Sequence, residues 1–252
     1  SGYLAYSLAQ ERDHIESTQR DRLAHQATVI EKNLVPQLYA ANRALNAIGE
    51  DLPRWKADKE GLARANRQLQ VFSEALTGIR VLLVVDAAGK ITASNNEKLI
   101  GKSVAHRQWF QRAASNNIPQ TLYLIAPSTT LINTYVMGLA HSLSGSRGEF
   151  AGAVYASLDP DFAKVQLNSV RYTPDVWAAL AHGDGKLFLM APEREGVIGQ
   201  DLATPDRLFT RHLDSGETAK VFADVVTLTG EERMTAVRTV QPADLKIDKP
   251  LV

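Results

Sequence analysis

The N-terminal part of the chain carries apolar residues at intervals of three or four positions, with charged residues between them. This spacing places the apolar residues on one face of an amphipathic α-helix. The series is Leu23, Ala27, Ile30, Leu34, Leu38, Ala41, Leu45, Ile48 and Leu52. Leu4, Leu8 and Ile15 extend the pattern toward the N-terminus, which predicts a helix of about 45 residues, roughly 65 to 70 Å long, that starts near Tyr3.

Pro36 lies inside this series. Proline removes a backbone hydrogen-bond donor and clashes with the preceding turn, so we expect the helix to bend near residues 33–35 and to continue beyond them. An apolar stripe of this length is typical of a core face or of a dimer seam. It therefore also suggests a homodimer that forms through the N-terminal helix.

Short apolar runs separated by turn residues follow a second predicted helix at residues 59–76. Residues 80–86 indicate a buried strand, and the glycine turn at Gly89 leads into a second strand at 90–94. A helix at 105–114 and three strands at 121–125, 132–143 and 150–158 come next. Asp159 and Pro160 predict the start of a further helix over about 161–170, since both residue types favour a helix N-terminus.

The second half of the chain repeats this order of elements in a weaker form. Ile100-Gly101 corresponds to Ile198-Gly199, and the helix with Trp109-Phe110 corresponds to the one with Leu208-Phe209. Such a repeat predicts two copies of one small mixed domain in tandem.

The predicted fold class is therefore α+β, with a long N-terminal helix and two modules built on antiparallel sheets. We expect a helical spine over residues 1–78, a first module over 79–165 and a second module over 166–252.

Composition excludes several classes of function. The 252 residues include 28 Lys plus Arg and 28 Asp plus Glu, so no net charge attracts nucleic acid or an anionic membrane. The absence of Cys excludes thiol catalysis, disulfides and thiolate metal sites, and is compatible with an oxidising compartment. No run of roughly 20 apolar residues and no signal peptide occurs, so we expect any membrane spans to flank this chain.

Motifs for catalysis, metals and nucleotides are missing as well. The six histidines, His14, His25, His106, His141, His182 and His212, have no metal-ligand spacing. Residues 96–103 resemble a phosphate-binding loop but lack its first glycine and a preceding strand. We therefore expect no enzymatic activity, no metal and no cofactor, and a soluble enzyme is the weakest alternative function.

Four motifs together resemble the double Cache family of sensor domains over nearly the whole chain. They are residues 85–91, Ile100-Gly101, residues 107–110 and residues 148–159. The resemblance implies two PAS-like modules on a long helix at the outer side of a bacterial membrane. It implies a periplasmic location between transmembrane helices, ligand binding in the distal module (79–165), and transmission by the proximal module (166–252). The output domain is then a diguanylate cyclase, a histidine kinase or a chemoreceptor signalling domain, and we favour the first two.

The resemblance places the ligand between the distal sheet and the helix that follows Arg107. A guanidinium can bind a carboxylate through two hydrogen bonds while aromatic rings exclude water. Family members that bind amino acids carry a Tyr and an Asp where this chain has Lys102 and Ser157. An ammonium group would lack its acidic partner here, so we favour an organic carboxylate or another small anion as the ligand. The candidate ligand-binding residues are Arg107, Trp109, Phe110, Tyr123, Tyr135, Tyr155, Ser157 and Asp159.

These positions also have structural interpretations. Arg107 could pair with a surface carboxylate, and two adjacent helical aromatics cannot point the same way, so one of Trp109 and Phe110 belongs to the core. Strand alternation sends about half of the tyrosines away from the ligand face. Tyr155 could fill the pocket, and Asp159 is better explained as a helix cap. The alternative functions are an amino-acid chemoreceptor sensor and a structural or adhesion module without a ligand.

Overall fold

A long helix opens the structure, a computed structural model that describes residues 2–226 and 230–252. Helix α1 (Gly2–Ala57) has 56 residues, longer than the roughly 45 predicted, and it continues through Pro36 as expected. The bend near this proline stays a prediction. Helix α2 (Leu62–Ala75) follows after a short turn. Among the described residues, no helix is both long and apolar enough to cross a bilayer.

The apolar stripe of α1 is buried only in the C-terminal half of the helix. The buried residues follow the predicted spacing and are Leu34, Leu38, Ala41, Ala44, Leu45, Ile48, Leu52 and Trp55. Leu4, Leu8 and Ile15, which extend the stripe toward the N-terminus, are 55 to 67% exposed. Only one half of the helix is therefore covered by this chain's own core.

The distal module is a five-stranded antiparallel sheet. Its elements are β1 (Ile79–Asp86), β2 (Ile91–Ser94), α3 (Gln108–Ser115), β3 (Tyr123–Thr129), β4 (Tyr135–Ser144), β5 (Phe150–Leu158) and α4 (Pro160–Ser169). The strand order is β2-β1-β5-β4-β3, so the last strand lies in the middle of the sheet. The predicted elements of this module are all present, with ends that differ by a few residues.

In its described residues the proximal module repeats the first part of this succession, two strands, a helix and two further strands. Its elements are β6 (Ala178–Ala181), β7 (Leu187–Ala191), α5 (Leu208–Ser215), β8 (Ala219–Val225) and β9 (Glu232–Arg238). Here β6-β7 and β8-β9 form two separate antiparallel pairs. The mixed α+β class with antiparallel sheets is confirmed, while the boundaries proposed for the modules stay a prediction.

Alternation along the strands gives the distal sheet two different apolar faces. On β5, Val154, Ala156 and Leu158 join the core that packs on α1, whereas Ala153 and Tyr155 join a second core beneath α3. The first core continues along α1 into the proximal module, where it includes Phe188 and Leu189. A single stripe of α1 therefore packs against both modules.

Residues 246–248 tie the proximal half of the chain to the free edge of β3. The amide of Leu122 donates to the carbonyl of Lys246 at 2.7 Å, and the amide of Leu124 donates to the Asp248 carboxylate at 2.7 Å. Asp248 also pairs with Arg112 of α3 at 3.0 Å. The imidazole of His182, fully buried, bonds to the Leu124 carbonyl at 2.9 Å. The two modules are thus joined by directed polar contacts as well as by the shared core.

His141 of β4 is buried against α1, where its Nε2 lies 2.7 Å from the Asn42 side-chain oxygen. Burial lowers the pKa of this imidazole to about 4, so the ring is neutral at pH 7 and donates to Asn42. Burial also lowers the pKa of His182 and of His212. Burial raises the pKa of Asp248. The contribution of this carboxyl group to stability is therefore lost as the pH rises, whereas the contributions of the buried histidines are lost as the pH falls.

Truncation of Ile48 tests the packing of the α1 stripe. Ile48→Ala removes a fully buried side chain, and we expect a loss of about 2 to 5 kcal/mol in the free energy of unfolding. Leu8→Ala changes an exposed position of the same helix and should cost less than about 0.5 kcal/mol. Urea unfolding followed by circular dichroism measures both values, and equal losses would contradict the assigned packing.

Acidification tests the neutral state of His141. Because its folded pKa lies below the ordinary 6.5, its contribution to stability is complete above pH 6.5 and is lost as the pH falls toward 4. When the pH is lowered from 8 to 5, the unfolding free energy of the parent chain should fall by about 2 kcal/mol more than that of His141→Gln. Urea titrations at both pH values measure this difference, with His25→Gln on the exposed side of α1 as the control. An unchanged pH dependence in His141→Gln would contradict the assignment.

Candidate functional site

A cavity of about 60 Å³ lies between the distal sheet and α3, where the family resemblance placed the ligand. Four of the eight candidate residues line it, namely Arg107, Trp109, Tyr155 and Ser157. Apolar side chains from β1, β2 and the segment before α3 complete the wall, including Leu83, Ile91 and Val104. The cavity is therefore mostly apolar, with a few polar groups that converge on it.

Arg107 is the residue immediately before α3 and has an extended backbone conformation. Its Nη1 donates to the carbonyl of Thr129, at the end of β3, at 3.0 Å. Across the described ranges, the guanidinium forms no ion pair with a carboxylate, in contrast to Arg80 and Arg112 nearby. One N–H of the fork is thus used to fix the side chain, and the remaining donors can serve a ligand.

Tyr155 and Trp109, which both line the cavity, form a stacked pair. Their ring centroids are 5.3 Å apart at an angle of 29°. The Tyr155 ring lies over Gly138 of β4, where an added Cβ would come within 2.4 Å of the ring carbon Cε2. Glycine at 138 is therefore what makes room for the phenol, and the phenol takes up much of the pocket.

Protonation of the Tyr155 hydroxyl follows from its surroundings. Burial raises the pKa of this phenol well above its usual range, while the nearby Arg107 charge acts in the opposite direction. The hydroxyl is neutral at physiological pH and is able to donate a hydrogen bond. A neutral donor beside a guanidinium suits an anionic acceptor.

Ser157 lies two residues after Tyr155 on the same face of β5. Its Oγ accepts a hydrogen bond from the Val81 amide at 3.1 Å, and the residue is 2% exposed. The lining that the structure describes includes no Asp or Glu. The other lining arginine, Arg80, is neutralised by Asp159 and Asp161 at 2.9 and 2.6 Å. The polar part of the cavity thus consists of hydroxyls and one guanidinium without an acidic partner.

The other four candidate residues lie outside this cavity lining. Phe110 packs edge-on against Trp109 and Phe150 in the core, whereas Trp109 lines the cavity. The hydroxyl of Tyr123 donates to the Asn116 carbonyl. Tyr135 points away from α3, and its hydroxyl donates to the Leu187 carbonyl of β7 at 3.0 Å. The geometry therefore does not support a ligand contact by Phe110, Tyr123 or Tyr135.

Asp159 has the structural role that the sequence favoured. Its carboxylate accepts from the Asp161 amide at 3.0 Å and caps α4, and it also pairs with Arg80. Asp159 thereby holds the guanidinium of Arg80 at the rim of the cavity.

The sequence did not predict the polar residues at the end of β3 and in the loop between β3 and β4. Ser128 of β3 and the loop residues Thr130 and Thr134 line the cavity together with Leu131 and Ile132. The amide of Thr134 donates to the Thr130 hydroxyl at 3.2 Å, which closes the loop on itself. The run of Ser and Thr between two apolar strands was the available signal. The directions of side chains in an irregular loop, however, cannot be predicted from a sequence pattern.

No metal site accompanies the cavity in the described part of the chain, where no three His, Asp or Glu side chains gather. A second opening, of about 260 Å³, lies in the proximal module between α1 and the strands β6 and β9.

No family model matches the sequence, and no curated protein matches it. Among solved structures, the extracellular domain of a candidate histidine kinase is 17% identical, with a TM-score of 0.76 over 98% of this chain and 94% of that chain. The periplasmic sensory domain of the Campylobacter jejuni chemoreceptor Tlp1 is 14% identical, with a TM-score of 0.71 over 94% of both chains.

A third similar structure is the ligand-binding domain of the Pseudomonas aeruginosa amino-acid chemoreceptor PctC in complex with GABA. It is 14% identical, with a TM-score of 0.61 over 93% of this chain and 97% of that chain. At these identities the likeness is one of fold. The chain has the fold of extracytoplasmic sensor domains, as the resemblance to double Cache domains predicted, and these neighbours are sensor or ligand-binding domains.

A double-mutant cycle tests whether Gly138 makes room for Tyr155. Gly138→Ala should cost about 1 to 3 kcal/mol of unfolding free energy, because the new methyl group collides with the ring. In a Tyr155→Ala background the same change should cost much less, so that the two effects are not additive. Additive losses in urea titrations of the four proteins would contradict the proposed close contact.

Proposed function

We propose that this chain is the sensing region of a bacterial transmembrane receptor and that it binds a small carboxylate in the distal cavity. The observation that carries the proposal is the guanidinium of Arg107, which lines an apolar cavity and forms no ion pair with a carboxylate of the described residues. A bidentate hydrogen bond from Arg to a carboxylate is the contact that this geometry favours. We propose no enzymatic activity for this chain itself.

Charge supports an anion rather than a zwitterion. The described lining combines Arg107 with the hydroxyls of Tyr155 and Ser157 and contains no acidic side chain. An ammonium group in this cavity would lose its hydration without gaining an ionic partner, which is costly in an apolar site. This argues against the amino-acid alternative, although the similar PctC domain carries GABA.

Size restricts the ligand further. A cavity of about 60 Å³ holds about four to six water-sized spheres, at roughly 10 to 15 Å³ for each. That space suits a carboxylate of about two to four carbons. A larger ligand would require Tyr155 or Trp109 to move, since their stacked rings fill the neighbouring space.

Location and output are proposed from the fold. The similar domains include an extracellular domain and a periplasmic sensory domain, and this supports a periplasmic location between membrane-spanning helices. A histidine kinase or a diguanylate cyclase is the favoured output domain. A chemoreceptor signalling domain is also compatible with the similar structures, which include the chemoreceptor domains of Tlp1 and PctC.

Signal transmission has a structural route from the cavity. Helix α3 carries Trp109 on the cavity side, and Arg112, one turn later, pairs with Asp248 of the proximal half. A ligand that binds one packing of α3 more tightly would shift the population of packings at this contact and along α1. The exposed apolar residues near the start of α1 support a homodimer through this helix, which could carry the shift across a membrane.

Thermal denaturation with a panel of small carboxylates, amino acids, amines and purines tests the proposal. We expect a short carboxylate to raise the melting temperature, because a ligand at a hundredfold excess over its dissociation constant stabilises the folded state by about 2.7 kcal/mol. Arg107→Ala should abolish this shift. Arg147→Ala, an exposed arginine in the β4–β5 turn, is the matched control and should retain it.

Other outcomes separate the alternatives. A shift with amino acids and none with simple carboxylates would favour the amino-acid sensor. An absence of any shift would contradict small-molecule binding and favour a structural or adhesion module. A carboxylate shift that persists in Arg107→Ala would place the ligand elsewhere.

A further inference from the structure

The cavity of the distal module lies above one row of residues that crosses four strands. Strand pairing places Ser157 of β5 between Val81 of β1 and Gly138 of β4. Gly138 is in turn opposite Ile125 of β3. Three of these four residues line the cavity. The fourth, Gly138, lies beneath the ring of Tyr155, so the floor of the site continues below the phenol.

Tyr155 itself belongs to the neighbouring row of the sheet, where it is opposite Leu83 and Ala140. Its side chain leans from that row across Gly138. The ring carbon Cζ and the hydroxyl oxygen lie 2.7 Å from the place that a Cβ atom at position 138 would take. The same ring stacks on Trp109 of α3, which closes the site from above. The phenol therefore fills a space that the small residues of the floor leave free.

The space that the phenol fills borders Arg107. Both side chains line the same cavity. The charge of Arg107 lowers the pKa of the Tyr155 phenol, against the larger effect of burial, so the guanidinium lies close to the hydroxyl end of the ring. A benzoate ion whose ring took the place of the phenol ring would thus direct its carboxylate toward Arg107.

We propose that Tyr155 determines the size of the carboxylate that the distal site accepts, because its ring fills the floor above Gly138. This inference rests on the proposed binding of a carboxylate by Arg107. With the ring in place, the site accepts short aliphatic carboxylates and excludes aromatic ones. Without it, the floor above Gly138 and Ser157 is open to a six-membered ring, and an apolar space of this kind binds such rings well.

Calorimetric titrations of the parent chain and three variants with propionate, benzoate and phenol test the proposal. The parent chain should bind propionate, and should bind benzoate at least about a hundredfold more weakly because the ring of Tyr155 blocks it. Tyr155→Phe is the matched control, since it keeps the ring, and it should show the same order. Tyr155→Ala should reverse the order and bind benzoate at least about tenfold more tightly than propionate, because benzoate buries more apolar surface.

The third variant combines Tyr155→Ala with Arg107→Ala and shows whether the opened space belongs to the carboxylate site. Benzoate should bind this double variant at least about tenfold more weakly than Tyr155→Ala, because the charged hydrogen bonds of the guanidinium are lost. Phenol, which has no charge at pH 7, should bind both variants equally well. Tyr155→Val replaces Tyr155→Ala if the alanine variant does not fold, since a β-branched side chain suits a central strand.

Three results would overturn the size limit and leave the proposed function standing. The first is a parent chain that binds benzoate as tightly as propionate. The second is the binding of propionate but not of benzoate by Tyr155→Ala or Tyr155→Val. The third is a benzoate affinity in Tyr155→Ala that does not depend on Arg107, although propionate binding by the parent chain does. If neither carboxylate binds any of the proteins, the proposed function itself fails, and the size limit fails with it.

Discussion

The contact on which the rest of the structure depends is the burial of one stripe of α1 against both modules. From Leu34 to Trp55 this stripe shares one core with the α1 face of the distal sheet and with residues of β6 and β7, and α1 also contacts β8 and β9 of the proximal module. The distal sheet has two apolar faces, one covered by α1 and α2 and the other by α3. Because one helix packs on both modules, a rearrangement of either module acts on the same helix. That coupling is what a sensor requires.

The distal site shows how a few side chains determine the space between the sheet and α3. Tyr155 and Trp109 fill much of the space beneath α3, and Gly138 permits the phenol to lie there. What remains is a small opening with one guanidinium and several hydroxyls. The resemblance to amino-acid-binding family members implies an acidic residue where this chain has Ser157, and its absence here supports the proposed preference for an anion.

The amount of structure that the sequence could predict depended on how local each feature is. The period of the α1 stripe and the alternation in β1 and β5 are local patterns, and they gave the elements and their order. The start of α1 near Tyr3 was predicted within one residue, whereas its length was underestimated because the helix continues past Leu52 and Pro53 to Ala57. In the site, Arg107 and Trp109 could be found from one motif, but Tyr135 could not be placed, because its partner Leu187 is in the other module.

The central claim is that Arg107 binds a small carboxylate in the distal cavity, and its guanidinium resonance is the most direct reporter. The measurement is an NMR titration of the arginine-labelled chain with a two-carbon carboxylate, with the Nε–H signals assigned by single substitutions. The account predicts a saturable shift that is largest for Arg107, with Arg147 unchanged. A saturable shift confined to other arginines, or none at all for the two- to four-carbon carboxylates, would contradict it.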